Sequence, residues 1–304
     1  MNIDGVFEGG GVKGIAFVGA ICRIEEAGYR WIRLAGTSAG AIVAALLAVG
    51  YSGRELNELM LNINYKNLLD RNNKCFHPLL KKSILLIKDK GIYEGSYIEK
   101  WLAGLFKAKG KTKFKDVSVS GKSRLKIIAS DITRREIMIL PNDLPSYGIN
   151  PMEFEIWKAV RMSISIPLYF KPVKLKYDKK FSFIVDGGLL SNFPIWIFDV
   201  NGKPRWPTFG FNLIDTKTKS FNGKTDIVSY LFDLVDALVN RNEYVYVREK
   251  DAVRIISIPT LGVETTNFNI TTNKSRELFN SGYQSAAQFL AKWNFDNYVR
   301  KYRS

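Results

Sequence analysis

One short motif restricts the fold of this chain more than any other feature of its sequence. Residues 36–40 read GTSAG. The apolar stretch Trp31–Ala35 precedes this motif, and an alanine-rich apolar stretch, Ala39–Val49, begins within it. This order predicts a buried strand, a sharp turn and a buried helix that ends at Gly50. The motif therefore favours an α/β protein with a functional serine at the turn.

The serine at the centre of the motif, Ser38, is the candidate nucleophile. At such a turn the backbone is strained and the hydroxyl is exposed, while Gly36 and Gly40 prevent collision with neighbouring chain. The helix that begins there also directs the positive end of its dipole toward the serine. A tight turn with an ordinary capping serine remains the alternative for this motif taken alone.

A glycine-rich loop, GGGVKG at residues 9–14, follows a short predicted strand near Gly5–Phe7. Adjacent glycines leave backbone N–H groups uncovered beside the start of a helix, which is a favourable place for a developing negative charge. We therefore expect an oxyanion hole in this loop. Its candidate residues are Gly9, Gly10 and Gly11, with Lys13 and Gly14 as supporting positions of the motif.

The same loop also satisfies G-x-G-x-x-G at Gly9, Gly11 and Gly14, so a dinucleotide site competes with the oxyanion hole. A dinucleotide site requires an acidic residue about 20 positions further on, at the end of the second strand. Here that strand ends in the sequence LAG and leads to Ser38. The dinucleotide interpretation is therefore the weaker one, and a P-loop is weaker still because no Gly-Lys-Ser/Thr ending is present.

A nucleophilic serine needs a base, and the usual triad of α/β-hydrolases places a histidine after the acid. The single histidine, His77, lies before the candidate acid described below and directly before Pro78 in a basic, loop-like stretch. We interpret His77 as a structural or surface residue. A histidine-dependent esterase that uses His77 remains the alternative.

Asp186 is the better candidate for the base. It closes the predicted strand Phe181–Val185 and is followed by Gly187 and Gly188. An acid at a strand end with glycines after it has little steric cover, and we expect it at the carboxyl edge of the sheet, where ligands of open α/β sheets bind. An aspartate that only begins a turn is the alternative.

Along the whole chain, strands alternate with helices, which predicts a mainly parallel sheet covered on both faces. We predict one domain over residues 1–304, with a motif-bearing core at about 5–215 and the strand and helices of 216–304 in the same domain. The other predicted strands are Leu125–Ser130, Glu136–Leu140, Thr208–Ile214 and Arg254–Ile258. The predicted helices are one that ends near Ala27, then Ala39–Val49, Arg54–Asn62, Ser96–Lys107, Glu153–Met162, Asp226–Val245 and a last helix with Leu278, Gly282, Phe289, Leu290 and Trp293 on one side.

The motifs GGGVKG, GTSAG and DGG, in this order, resemble those of the patatin-like phospholipase family. The similarity extends over nearly the whole chain, from Gly9 to the last helix. Three further stretches also match, SISIP at residues 163–167, FKP at 170–172 and NFP at 192–194. The three motifs together are far more specific than any one of them.

The resemblance implies a three-layer α/β fold and a Ser–Asp dyad, with Ser38 as the nucleophile, Asp186 as the base and Gly9–Gly11 as the oxyanion loop. Lys13 matches the family's basic position. The resemblance also implies fatty-acyl esters of phospholipids, lysophospholipids or neutral lipids as substrates, with no metal or cofactor. Residues 52–120 match no pattern, so acyl-chain selectivity stays open. A catalytically silent lipid-binding relative is a further alternative.

Composition adds expectations about location and partners. Cys22 and Cys75 are too few for a disulfide framework, no signal peptide opens the chain, and its longest apolar stretch of about 11 residues is short of the roughly 20 needed to span a bilayer. We expect a cytoplasmic protein, free or peripheral at membranes. The net charge of +16 would favour an anionic membrane surface. No motif specific for nucleic acid is present.

The lysines are clustered, and the clusters allow two interpretations. They lie at 81–82, at alternate positions from Lys107 to Lys115, and between Lys171 and Lys180. They are either solvated faces or a surface that holds the protein near anionic headgroups. Charge alone does not decide between the two.

Overall fold

The computed structural model describes residues 1–63, 65–70, 86, 88–215, 227–239 and 248–303. His77, Cys75 and the lysines at 81–82 lie outside these ranges, and so do residues 240–245 at the end of a predicted helix. The helices are α1 (Ile15–Glu26), α2 (Ala39–Val49), α3 (Gly53–Asn62), α4 (Ser96–Ala108), α5 (Ile156–Ser163), α6 (Ile227–Val239), α7 (Glu249–Ala252), α8 (Thr272–Lys292) and α9 (Phe295–Tyr302).

The strands are β1 (Asn2–Phe7), β2 (Arg30–Thr37), β3 (Gly91–Tyr93), β4 (Ser118–Val119), β5 (Lys122–Ser123), β6 (Leu125–Asp131), β7 (Glu136–Leu140), β8 (Leu168–Phe170), β9 (Val173–Tyr177), β10 (Lys180–Asp186), β11 (Thr208–Ile214) and β12 (Ile255–Pro259). Among these residues, no helix is long and apolar enough to cross a membrane. Cys22 is buried in α1 as a free thiol.

A central sheet has the strand order β12-β11-β1-β2-β6-β10-β9, with β7 also paired to β6. The five strands from β12 to β6 are parallel to one another. β10, β9 and β7 are antiparallel to their neighbours. The predicted fold class, α/β with a mainly parallel central sheet, is confirmed.

Both faces of this sheet carry apolar side chains, as expected for strands buried on two sides. Ile3, Leu34 and Ile127 belong to the larger core cluster, which they share with α1, α2, α4, α5 and α8. Their neighbours Val6, Ala35 and Ile128 face the other way, into a smaller cluster closed by the 3₁₀ turn Ile195–Phe198. The alternation along each strand therefore places helices on one face and a short irregular segment on the other.

β10 runs antiparallel to β6, whereas a mainly parallel sheet suggests that it runs parallel to its neighbour. β6 continues beyond β2, and β10 pairs antiparallel with that extension, so that Asp186 lies opposite Ala129. Thr37, at the end of β2, lies opposite Ile128. The end of β10 is therefore level with the end of β2, although the two strands run in opposite directions. Asp186 reaches the carboxyl edge of the parallel strands through this register.

Candidate active site

Ser38 occupies the single position between β2 and α2. Its backbone has φ 51° and ψ −122°, a conformation that residues with side chains rarely adopt. The N–H of Ser38 donates to Oγ of Ser163 at 2.9 Å, and that hydroxyl donates to the carbonyl oxygen of Ile128 at 2.5 Å. Ser163, at the end of α5, thereby ties the strained turn to β6.

The two glycines of the motif are required by close packing. A Cβ at Gly40 would lie 2.5 Å from the carbonyl oxygen of Glu8, and a Cβ at Gly36 would collide with the backbone of Gly40. Gly14 packs closely on Ala39, since a Cβ at Gly14 would make a tight contact of 3.1 Å with the Ala39 side chain. The start of α2 is thus held tightly against the loop that follows β1.

Ser38 and Asp186, separated by 148 positions in the chain, form a direct hydrogen bond. Oγ of Ser38 donates to Oδ2 of Asp186 at 2.6 Å, and the other carboxylate oxygen accepts from the N–H of Gly188 at 2.7 Å. Asp186 is fully buried, and Ser38 is 4% exposed. A Cβ at Gly187 would collide with the carbonyl oxygen of Ile128, so the turn after β10 packs directly on β6.

Burial changes the protonation of this carboxyl group. Removal from water raises the pKa of Asp186 from 3.8 to about 7, against the opposing effects of the hydrogen bonds from Ser38 and Gly188. A carboxylate with a pKa near neutrality is a much stronger base than an ordinary aspartate. The pair can therefore move the serine proton to a carboxylate near neutral pH.

The glycine loop lies directly beside Ser38. A Cβ at Gly9 would lie 3.3 Å from the Cβ of Ser38. The N–H of Gly9 itself donates to the carbonyl oxygen of Asn192 at 3.1 Å, so this N–H is already engaged. The N–H groups of Gly10 and Gly11 have no acceptor within the described ranges. Of the three predicted oxyanion donors, Gly10 and Gly11 are the two with available N–H groups.

The rest of the loop fixes its shape. Gly11 has φ +55°, and a Cβ there would collide with the backbone of Thr265. Lys13 and Gly14 belong to the 3₁₀ turn Gly11–Gly14, in which the N–H of Lys13 donates to the carbonyl oxygen of Gly10 at 3.2 Å. The loop thus turns directly into α1 and presents its first N–H groups at a helix start.

Sequence reasoning missed a buried acid that supports the loop. Glu8 is 5% exposed and accepts hydrogen bonds from Nδ2 of Asn212 at 2.9 Å and from the N–H of Leu213 at 2.6 Å. Its other oxygen accepts from Nδ2 of Asn192 at 3.3 Å. The sequence identified NFP only as a stretch that resembles the family. In the structure its asparagine, Asn192, connects the glycine loop with the segment after Asp186.

Arg161 on α5 was also missed. It is buried, pairs with Glu99 at 3.2 Å, and donates to the carbonyl oxygens of Glu94 at 2.7 Å and Lys171 at 3.0 Å. Arg161 also donates to the side-chain hydroxyl of Ser165. The backbone carbonyl oxygen of Ser165 in turn accepts a hydrogen bond from the N–H of Asp186 at 2.9 Å. The segment SISIP, which the sequence marked without a role, therefore contacts both members of the Ser38–Asp186 pair.

An apolar pocket opens at Ser38. The empty space in it, including the part open to solvent, is about 690 Å³. Gly11, Gly14 and Ser38 are among its lining residues. The remaining lining is almost entirely apolar and includes Ile42, Met60, Ile63, Trp101, Ile164 and Phe170. Within the part of the chain that the structure describes, no cluster of potential metal ligands is present.

The fold and the site together define an α/β protein with a strained serine turn, a buried carboxylate bonded to that serine and a glycine loop beside it. The sequence profile of patatin-like phospholipases matches residues 5–199. The Bacillus subtilis (strain 168) protein YqhO is 38% identical over 299 residues, which cover 97% of this chain and 100% of YqhO. The chain belongs to the patatin-like phospholipase family.

Two further comparisons cover larger proteins. A Caenorhabditis elegans protein named intracellular phospholipase A2 is 27% identical over 199 residues, which are 62% of this chain and 16% of that protein. The crystal structure of VipD from Legionella pneumophila has a TM-score of 0.56 at 19% identity, over 95% of this chain and 66% of VipD. The likeness to VipD concerns the fold.

Proposed function

We propose that this protein is a lipid acyl hydrolase that cleaves the carboxylic ester of a fatty-acyl lipid. The observation that carries the proposal is the 2.6 Å hydrogen bond from Ser38 to a fully buried Asp186 at the wall of an apolar pocket. Membership of the patatin-like phospholipase family supports it, and so does the C. elegans relative named as a phospholipase A2.

In the first half of the reaction, Oγ of Ser38 attacks the ester carbonyl carbon while Asp186 accepts the hydroxyl proton. The carbonyl oxygen becomes an oxyanion, which the N–H groups of Gly10 and Gly11 stabilise. The bond to the alcohol then breaks, and Asp186 returns the proton to the leaving oxygen. The products are a free alcohol, such as a lysophospholipid, and an acyl ester on Ser38.

In the second half, water replaces the alcohol. Asp186 takes one proton from the water as its oxygen attacks the acyl-enzyme, and the same N–H groups stabilise the second oxyanion. Collapse of this intermediate returns the proton to Oγ of Ser38 and releases the fatty acid. Throughout both halves the acyl chain occupies the apolar pocket, which has little polar surface to retain water.

The test is hydrolysis of a short-chain ester and of a phospholipid micelle by purified variants. We expect Ser38→Ala and Asp186→Asn each to lower kcat by roughly 10³-fold or more, and the double variant to be little worse than either, because the two residues act as one unit. Retention of a tenth of the activity by Asp186→Asn would exclude it as the base.

Three controls accompany these variants. Ser118→Ala removes a hydroxyl whose partners, the carbonyl oxygen of Phe114 and Sδ of Met152, do not line the pocket, and it should keep full activity. His77→Ala should also stay active, whereas loss of about 90% of its turnover in a folded protein would favour the histidine-dependent esterase. We expect activity to survive EDTA. Circular dichroism confirms that each variant is folded.

A further inference from the structure

The solvent-facing side of α6 is apolar. Ile227, Tyr230, Leu231, Leu234 and Leu238 are between 36% and 69% exposed. At about 100° per residue they fall within roughly 100° of arc and form one continuous stripe. We call these five side chains the outer face of α6. A surface helix normally turns its apolar stripe to the core, so an apolar stripe in solvent indicates a contact surface.

The opposite side of α6 is already packed. The ring of Phe232 contacts Tyr169 edge to face, with 4.8 Å between centroids, and Val235 joins the cluster around Phe170. Val239 is buried beside the turn that follows Asp186, where its Cγ1 would lie 3.2 Å from a Cβ at Gly188. The inner side of α6 is therefore already buried against the protein, and the outer face is a second apolar surface that the part of the chain described by the structure does not cover.

The packed side of α6 also fixes its place relative to the pocket. Phe170 and Ile166 of the same cluster line the pocket that contains Ser38. One helix, about 10 Å across, thus separates the outer face from the pocket wall. Whatever covers the outer face lies next to the substrate site.

The charges on α6 restrict what kind of surface can cover its outer face. The sequence of α6 contains Asp233 and Asp236 and no basic residue, although the whole chain carries a net charge of +16. The helix therefore offers no attraction to anionic headgroups, and only burial of its apolar stripe can drive association. Tyr230, with an apolar ring and a polar tip, is suited to a boundary between water and hydrocarbon.

We propose that the outer face of α6 inserts into the surface of a lipid aggregate and thereby docks the pocket on its substrate. The proposal rests on the proposed function, because a fatty-acyl ester is held in such an aggregate and must reach Ser38 from it. The part of the binding that insertion of these apolar side chains supplies does not depend on headgroup charge and depends only weakly on salt.

The experiment measures partitioning of the full chain onto phosphatidylcholine vesicles by sedimentation. The test variant is Leu234→Gln with Leu238→Gln, since glutamine keeps a helix propensity close to that of leucine. The control variant, Val119→Gln with Val200→Gln, removes two exposed aliphatic side chains at a different surface cavity. We expect the test variant to lose about tenfold or more of its partitioning, while the control matches the wild type.

Two activity measurements separate this proposal from the proposed function. Hydrolysis of vesicle lipid should fall with partitioning in the test variant, while its hydrolysis of a soluble short-chain ester stays unchanged. Ser38→Ala should bind vesicles like the wild type and hydrolyse neither substrate. If the wild type hydrolyses neither substrate, the proposed function fails while vesicle binding still tests the outer face.

Three results would overturn docking through α6. The first is a wild type that does not partition onto phosphatidylcholine vesicles, and the second is equal partitioning of the wild type and the test variant. The third is a wild type that is dimeric in solution and becomes monomeric in the test variant, which would assign the outer face to a second copy of the chain.

Discussion

At the scale of single residues, the site depends on one carboxyl group kept away from water. Asp186 is a candidate base because burial raises its pKa to about 7, which brings proton acceptance into the neutral range. The structure holds this group with few hydrogen bonds, one from Ser38 and one from Gly188. More donors would stabilise the carboxylate and make it a weaker base.

The raised pKa predicts the dependence of activity on pH. Asp186 must be ionised to accept the proton of Ser38, so kcat/KM should fall as pH drops through about 7 and should level off above it. With the pKa of an ordinary aspartate, about 3.9, kcat/KM would not change between pH 9 and pH 5. The measurement is kcat/KM for a soluble ester between pH 5 and 9, with Ser38→Ala as the blank. A flat profile over this range would contradict the assignment.

Sequence motifs could predict Ser38, Asp186 and the glycine loop, because each depends on local backbone geometry. The hydroxyl of Ser163 and the guanidinium of Arg161 could not be given roles in the same way. Ser163 contacts the Ser38 turn across 125 positions of sequence, and Arg161 contacts the carbonyl oxygen of Glu94 across 67 positions. The engagement of the Gly9 N–H by Asn192 was hidden for the same reason, since the two residues are 183 positions apart.

At the scale of elements, α1 and α8 cross with their backbones in direct contact. A Cβ at Gly19 would collide with the carbonyl oxygen of Phe279, and one at Gly282 would collide with that of Ala16. The sequence correctly placed Gly282 on the packed side of the last helix. It could not distinguish a glycine needed for close approach from one that is merely tolerated, because that distinction depends on the partner helix.

This crossing predicts opposite effects for two glycine substitutions. Gly282→Ala should lower the free energy of unfolding by about 1–3 kcal/mol, because the backbones must separate to admit the methyl group. Gly104→Ala, at an exposed position in α4 with nothing within 4 Å of its Cβ, should raise it by about 0.5–1 kcal/mol. Urea denaturation of the two variants and the wild type makes the comparison. Equal effects at both positions would refute the close crossing.

Strand direction was the main feature of the fold that sequence did not provide. The apolar pattern of β10 is the same whichever way the strand runs, and its direction follows only from pairing with the extension of β6. The strand β9 was likewise not predicted, and its pairing with β10 depends on the hairpin between them. The motifs nonetheless singled out Asp186 at the end of β10, which the structure brings within hydrogen-bond distance of Ser38.

At the scale of the whole molecule, the net charge of +16 is unevenly arranged. In the lysine run from 107 to 115, Lys109 pairs with Glu55 at 2.6 Å, and Lys113 and Lys115 both pair with Glu153 at 2.8 Å. These two carboxylates offset two of the run's five positive charges, and its role at anionic membranes stays a prediction.

A surface cavity elsewhere is lined by basic side chains without an acidic one. Its basic residues are Arg30, Arg33, Lys122, Arg124, Lys203 and Arg205. The cavity lies where β1, β2 and β6 begin, whereas Ser38 follows the end of β2, an eight-residue strand about 25 Å long. An anionic surface that binds this cavity would therefore hold the molecule with its pocket turned away.

This arrangement predicts that anionic lipid increases binding more than turnover. At low salt, phosphatidylglycerol added to phosphatidylcholine vesicles should raise the bound fraction, because charge attraction acts over the long screening length. Turnover per bound molecule should fall, because part of the bound population faces the membrane with the basic cavity. Near 0.5 M salt, where the screening length is only a few Å, both quantities should return to their values on pure phosphatidylcholine.

The measurement combines vesicle sedimentation with fatty-acid release from the same sample. Lys203→Gln with Arg205→Gln should lower the bound fraction on anionic vesicles and raise turnover per bound molecule, since it removes two charges from the basic cavity only. The Leu234→Gln, Leu238→Gln variant should show the reverse pattern, with retained binding to anionic vesicles and little release of fatty acid. If turnover per bound molecule rises with anionic lipid at low salt, the positive charge directs the pocket toward the membrane, and the orientation argued from the basic cavity is wrong.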